Sequence, residues 1–161
     1  MSIQRVKAYL KQFGADSRVQ ETAESSATVA LAAAALHTEP ERIAKTLSFK
    51  IGDPAEGGRV LLIVCAGDGR VDNKKFKQRF GVKPRMLAHE EVEPLVGHDV
   101  GGVCPFGVNP GVEVYLEEGL RRFKTVWPAA GSSNSMIELT IPELERFSGS
   151  LGWVEVCQEV S

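Results

Sequence analysis

The stretch TLSFKIGDPAEGGRVLLIVC, residues 46–65, decides the fold. Thr46 to Lys50 reads as a strand, and residues 52–58 carry three glycines and a proline, a turn-rich hairpin connection. Val60 to Cys65 is an unbroken apolar run of strand length, the pattern of a central strand covered on both faces.

Helical patterns flank this hairpin. Upstream, Ile3, Val6, Leu10 and Phe13 repeat at helical spacing and Gly14 stops them. An Ala-rich packing helix from Thr28 to Leu36 follows, capped by Ser25 or Ser26. Thr38-Glu39-Pro40-Glu41 has the form of a capping box and predicts a short helix ending near Lys45. Downstream, Asp72 caps a basic helix that runs to Phe80 and ends at Gly81. Phe76 and Phe80, four apart, turn inward and leave the lysines outside. Lys83 to Leu87 is a short strand, Glu90 to Val96 a short helix, and Val112 to Leu116 an alternating strand. Thr125 to Trp127 and Met136 to Leu139 flank a polar turn. Thr140-Ile141-Pro142-Glu143 opens a helix to Phe147, and Trp153 to Val156 is a last edge strand. Helices and strands interleave, with several short turns between strands. That predicts one α/β domain over residues 1–161, built on a mixed sheet.

Bulk composition narrows the function. The 161 residues are 43% hydrophobic and 25% charged, a globular balance. No run approaches the roughly 20 apolar residues of a membrane span, and the mixed-charge opening is not that of a signal peptide. Cys65, Cys104 and Cys157 are three, far apart and without CxxC spacing, which argues against a disulfide framework or a zinc site. His37, His89 and His98 show no ligand spacing either, and the expected compartment is a reducing cytoplasm. Net charge is −2, yet residues 70–85 hold Arg70, Lys74, Lys75, Lys77, Arg79, Lys83 and Arg85 against one acid, Asp72. Such a stretch is either a solvated face or a contact for a polyanion.

Four features can carry chemistry. The loop Gly97 to Gly111 has five glycines and two prolines in fifteen residues. Its adjacent Gly101 and Gly102 allow positive φ and close ligand approach, and such a loop can aim amide N–H groups at an oxyanion or serve as a plain connection. Lys45, at the mouth of an apolar strand, can hold a phosphate or carbonyl oxygen or snorkel to the surface. Cys104 with His98 six residues earlier invites a Cys–His hydrolase reading, against that of a buried core thiol. The turn Gly131-Ser132-Ser133-Asn134-Ser135 can line a cleft or be turn chemistry alone.

The order of these features resembles the YbaK/EbsC family, the prolyl-tRNA synthetase-associated domain. The resemblance rests on Lys45-Thr46-Leu47, Asp72-Asn73-Lys74-Lys75, the GxxxP loop within Gly101-Gly102-Val103-Cys104-Pro105-Phe106-Gly107, and Thr125-Val126-Trp127 through Gly131 to Ile137-Glu138-Leu139. It covers roughly residues 20–150 and implies a curved, largely antiparallel mixed sheet with flanking helices. It implies a trans-editing deacylase that hydrolyses the ester of a mischarged tRNA, tRNAPro carrying cysteine or alanine, without cofactor, metal or covalent intermediate. Lys45, Gly101 and Gly102 would then be catalytic, and Val103, Cys104, Pro105, Phe106, Gly131, Ser132, Ser133 and Asn134 would bind substrate. Lys74, Lys75, Lys77 and Arg79 would meet the tRNA backbone. Expected partners are the mischarged tRNA and a synthetase, with the chain a monomer or homodimer. A non-catalytic tRNA- or synthetase-binding module of the same fold is the alternative. One departure stands out: Met136 replaces an acidic residue of the Cys-tRNA deacylase branch.

Overall fold

The apolar run is a central strand buried on both faces in the computed structural model, which describes residues 2–23, 25–26 and 28–158. Along the chain lie α1 (Ser2–Lys11), β1 (Gln20–Glu21), α2 (Val29–Leu36), β2 (Ile43–Ile51) and β3 (Arg59–Ala66). Next come α3 (Asn73–Phe80), α4 (His89–Val96), β4 (Glu113–Glu117), β5 (Thr125–Pro128) and β6 (Ser135–Met136). The last are β7 (Leu139–Thr140), α5 (Ile141–Ser148) and β8 (Trp153–Val154). Six strands form one mixed sheet in the order β7-β5-β2-β3-β4-β8, and β1 pairs with β6 beside it.

The longest ladder is the antiparallel β2–β3 pair, from Ala44 opposite Ala66 to Ile51 opposite Arg59. The β5–β7 pair is also antiparallel, whereas β2–β5, β3–β4 and β4–β8 are parallel. A tight turn can only reverse a strand, and β4 is reached through α3 and α4, a crossover long enough to return parallel.

Alternation along β3 sends its side chains into two cores. Leu62 and Val64 pack with Val6 and Leu10 of α1, Val96 of α4, Phe106, and Leu144 of α5. Leu61, Ile63 and Cys65 pack with Phe49, Tyr115 and Phe76 of α3. Full burial of one such side chain is worth about 1.5–3 kcal/mol. A smaller third cluster puts Ala32 and Ala33 of α2 against Ile43 and Met136; these small residues let the helix lie close.

Local expectations change: the strand expected over residues 136–139 is split between β6 and β7, the last strand stops at Val154, and three further segments differ. The segment after Thr38 is only a 3-10 turn, Pro40–Arg42, with no side-chain cap. The Arg42 guanidinium donates to the Thr38 hydroxyl, and β2 has begun by Ile43, so Lys45 stands inside the strand rather than before it. The cap of α2 is Thr28, whose hydroxyl accepts from Leu31 N–H, while Ser25 and Ser26 reach the Ser133 carbonyl. Residues 83–87 make one bridge, Phe49 with Met86, rather than a strand. The caps at Asp72 and Thr140, and the stops at Gly81 and Gly97, are as the sequence predicts.

Candidate functional site

The outer edge of β2 changes partner along its length. At its start Ile43 and Ala44 pair with β5. Near its end Lys50 N–H donates to the Arg85 carbonyl at 2.9 Å, and Leu87 N–H to the Ser48 carbonyl at 3.1 Å. Residues 45–47, between them, have no strand partner on this edge among the described residues. Peptide groups alternate from edge to edge. Ser48 and Lys50 use theirs on the outer side, so the peptide groups of Thr46 face the gap. A pocket of about 120 Å³ lies there, lined by Lys45, Thr46, Gly101, Val103, Trp127 and Met136, with Thr28 and Ala32 closing it from the α2 side.

Lys45 lies opposite Cys65 in the ladder, and its Nζ donates to the Gly67 carbonyl at 3.3 Å and the Gly69 carbonyl at 2.5 Å. An ammonium has three donors, so one remains. The turn receiving it admits no side chain at position 67: a Cβ on Gly67 would meet the Pro40 carbonyl oxygen at 1.9 Å. Asp68 in the same turn is held by both Arg122 Nη atoms, at 2.5 and 3.1 Å, and this keeps its carboxyl below the usual range.

Gly101 lines the pocket and Gly102 backs onto the Gly131 turn. A Cβ on Gly102 would lie 2.5 Å from the Gly131 carbonyl carbon and 2.7 Å from Ser132 N, so close packing, not positive φ, is what requires glycine here. Its N–H is spent on the Asp99 carbonyl at 2.9 Å. Beyond it Val103 lines the pocket, Pro105 is buried, and Cys104 and Phe106 pack in the first core.

Cys104 and His98 do meet, with Sγ 3.6 Å from Nε2, but both are 0% exposed. The same Nε2 lies 2.7 Å from the Phe106 carbonyl oxygen. A carbonyl only accepts, so Nε2 carries the hydrogen and cannot take one from the thiol. Burial pushes the Cys104 thiol up to about 12 and lowers the His98 pKa. The pair lacks both a base and access for a nucleophilic role.

The polar turn is spent on the chain itself. Ser132 Oγ donates to Ser135 Oγ at 2.6 Å, Asn134 Nδ2 donates to the Thr22 carbonyl at 2.8 Å, and the exposed Ser133 offers its carbonyl to Ser26. These bonds, with the β1–β6 pairing, hold Gln20, Glu21, Thr22 and Ser26 beside the pocket, which Ser26 helps to line. Side chains of Ser132, Ser133 and Asn134 are not in the pocket wall.

On α3, Lys74, Lys77 and Arg79 are exposed, and the Arg79 guanidinium lies over the Phe80 and Tyr115 rings. Lys75 is engaged with Glu155 and the Cys157 carbonyl. It borders a larger cavity of about 350 Å³, also lined by Glu117, Glu118, Arg122 and Glu155. Every one of these charges is partnered, Glu117 by the N–H groups of Gly119, Val156 and Cys157. The smaller pocket is therefore the better candidate. Thr46, Trp127 and Met136 in its wall escaped sequence reasoning as site residues, since nothing local marks a gap between β5 and segment 85–87.

Residues 23–147 match the family model of the aminoacyl-tRNA editing domain. The uncharacterised protein YwhH of Bacillus subtilis is 49% identical over 159 residues, 99% of this chain and 99% of that protein. A proline–tRNA ligase of Bacillus cereus is 26% identical over 117 residues, 71% of this chain but 20% of the ligase, so the chain spans about a fifth of that enzyme. Among solved structures, a candidate trans-editing enzyme for prolyl tRNA synthetase superposes with a TM-score of 0.84 at 31% identity, covering 98% of each chain. The hypothetical protein APE2540 does so with 0.81 at 28% identity, covering 96% of this chain and 99% of that one.

Proposed function

The chain belongs to the aminoacyl-tRNA editing domain family, and on that premise we propose that it is a trans-editing deacylase hydrolysing the ester of a mischarged tRNA, with tRNAPro carrying cysteine or alanine as first candidate. The observation that carries this reading is the shared pocket: Lys45 and Gly101, distant in sequence, line one cavity at the gap beside β2. An aminoacyl ester is already activated, so placing a water and stabilising the oxyanion suffices for turnover. With the Gly102 amide spent, the N–H of Gly101, which lines the pocket, is the loop donor we assign to the oxyanion. Lys45 offers its remaining donor to a phosphate or ester oxygen of the terminal nucleotide.

Cys104 and Phe106 contribute by fixing the loop from the core side rather than by touching substrate. The exposed Lys74, Lys77 and Arg79 serve the tRNA backbone, where charge supplies affinity without reading sequence. The need is physical: a synthetase rejects a near-isosteric amino acid by only about 1–3 kcal/mol, and a second hydrolytic sieve adds the rest. Such a sieve acts in the cytoplasm beside the synthetase.

The test is hydrolysis by the purified protein of tRNAs misacylated with alanine, cysteine and serine. Turnover of at least one, lost in Lys45→Ala with the fold kept, is the expected result. Binding of tRNA without turnover would make the chain a binding module instead.

A further inference from the structure

The three cysteines lie far apart in sequence, and the fold brings two of them together. Cys65 Sγ and Cys157 Sγ are 3.9 Å apart, and both side chains pack in the second core. The cause is topological. β3 carries Cys65 through the middle of the sheet, and β8, at its edge, leads on to Val156 and Cys157. The N–H groups of these two donate to the Glu117 carboxylate at 3.2 and 3.4 Å, and Cys157 then bridges to Val71, which fixes the segment that carries the thiol. Cys104 has no thiol neighbour; it is 0% exposed and faces His98 and the Phe106 carbonyl.

The two paired thiols differ in access. Cys65 is 0% exposed, and its hydrogen bond with Cys157, together with burial, pushes its pKa well above the usual range. Cys157 stands in the wall of the cavity of about 350 Å³, beside Lys75, Glu117 and Arg122. A small oxidant entering there meets Cys157 first. Gly69, in the same wall, connects the pair to the smaller pocket. A Cβ on Gly69 would lie 3.4 Å from Cys157 Sγ and 3.5 Å from Cys65 Cβ, so its backbone rests on both cysteines. Its carbonyl accepts from Lys45 Nζ at 2.5 Å, and Lys45 stands opposite Cys65 in the β2–β3 ladder. A disulfide holds its sulfurs much closer than two thiols in contact, so joining them moves atoms directly under the turn that holds the ammonium.

We propose that Cys65 and Cys157 form a peroxide-sensitive thiol pair, whose reversible disulfide shifts the Gly69 turn and slows deacylation by misplacing Lys45. The modifying reagent is a hydroperoxide, of which hydrogen peroxide is the simplest. The Cys157 sulfur attacks it: an S–O bond forms, the O–O bond breaks, and one water leaves with the thiol proton. The Cys65 sulfur then attacks the sulfenic sulfur. An S–S bond forms, the S–O bond breaks, and the hydroxyl leaves with the Cys65 proton as a second water. Two electrons pass from the sulfurs to the peroxide. Contact makes the second step intramolecular, which offsets the weak ionisation of Cys65. In a reducing compartment such a bond is transient, which suits a sensor rather than a staple. The effect on rate rests on the deacylase reading, and the cross-link does not.

The experiment treats the full chain with hydrogen peroxide, alkylates the remaining thiols in denaturant, and reads peptide masses beside turnover of a misacylated tRNA. The wild type should show a Cys65–Cys157 cross-link with Cys104 alkylated. Its turnover should fall by at least about tenfold, as a misplaced catalytic group implies. Dithiothreitol should undo both changes, which tests the pair even where a variant folds poorly. Cys157→Ala should keep its rate through the same treatment. Cys157 driven to sulfinic or sulfonic acid, with Cys65 still alkylated, overturns the pair. A cross-linked wild type at full rate, or an equal peroxide loss in Cys157→Ala, overturns the connection to Lys45. A reduced wild type inactive on every charged tRNA overturns the deacylase reading, while the masses alone decide the cross-link.

Discussion

The two halves of the outer edge of β2 meet different fates. From Ser48 onward the edge is closed: segment 85–87 takes its peptide groups, and Lys50 Nζ holds both carboxylate oxygens of Glu91 at 2.8 Å. Around Lys45 and Thr46 the edge has no strand partner among the described residues, and a pocket lies where one would run. The closed half satisfies its polar groups within the fold, as stable folds do. The open half keeps one ammonium donor in reserve. One strand thus serves stability at one end and recognition at the other, so substitutions at the two ends should separate the two properties.

The largest effect is expected at the loop that closes the gap. Gly102→Ala forces a methyl against the Gly131 and Ser132 backbone, and such overpacking costs about 1–3 kcal/mol. Thermal unfolding should show a drop of roughly 2–4 °C per kcal/mol for a chain of this size. Deacylation should fall with it, because Gly101 is displaced; an unchanged melting temperature would show that the two loops are not pressed together. At the closed half, Glu91→Gln removes the ion pair with Lys50 and weakens the bond to Ala88 N–H at the start of α4. It should lower the melting temperature modestly, since an ion pair this close to solvent is screened, and leave turnover unchanged.

Cys104→Ser should leave kcat within about threefold of wild type, whereas a thiol nucleophile predicts near-total loss. The smallest effect lies away from β2. Arg18 hydrogen-bonds Glu143 and holds its carboxyl at about 2, so this pair stabilises above the ordinary carboxylate range and the gain fades as pH falls toward 2. The wild type should outlast Glu143→Gln in melts at pH 5 by well under about 1 kcal/mol, and the difference should vanish at the acid end.

The sequence makes some of this legible and hides the rest for physical reasons. The double burial of β3 is written in an apolar run, and the cap at Asp72 and capping box at Thr140 are local chemistry. Lys45, Gly101 and Gly131 could be picked out, and the packing around the last could not: Gly131 meets Gly102, and its turn ties down Thr22 and Ser26. The parallel pairing of β5 with β2 joins residues more than 80 positions apart, so no local pattern encodes it or the gap it leaves.

The central claim is that the open half of β2 carries the chemistry. Single-turnover hydrolysis of one misacylated tRNA by wild type, Lys45→Ala and Lys50→Ala, with melts of all three, tests it most directly. Lys45→Ala should lose on the order of a hundredfold in rate, with only the modest melting loss that its two bonds to the Gly67 and Gly69 carbonyls supply, while Lys50→Ala should melt lower and keep its rate. Equal rates for the two variants, or a rate loss confined to Lys50→Ala, would contradict it.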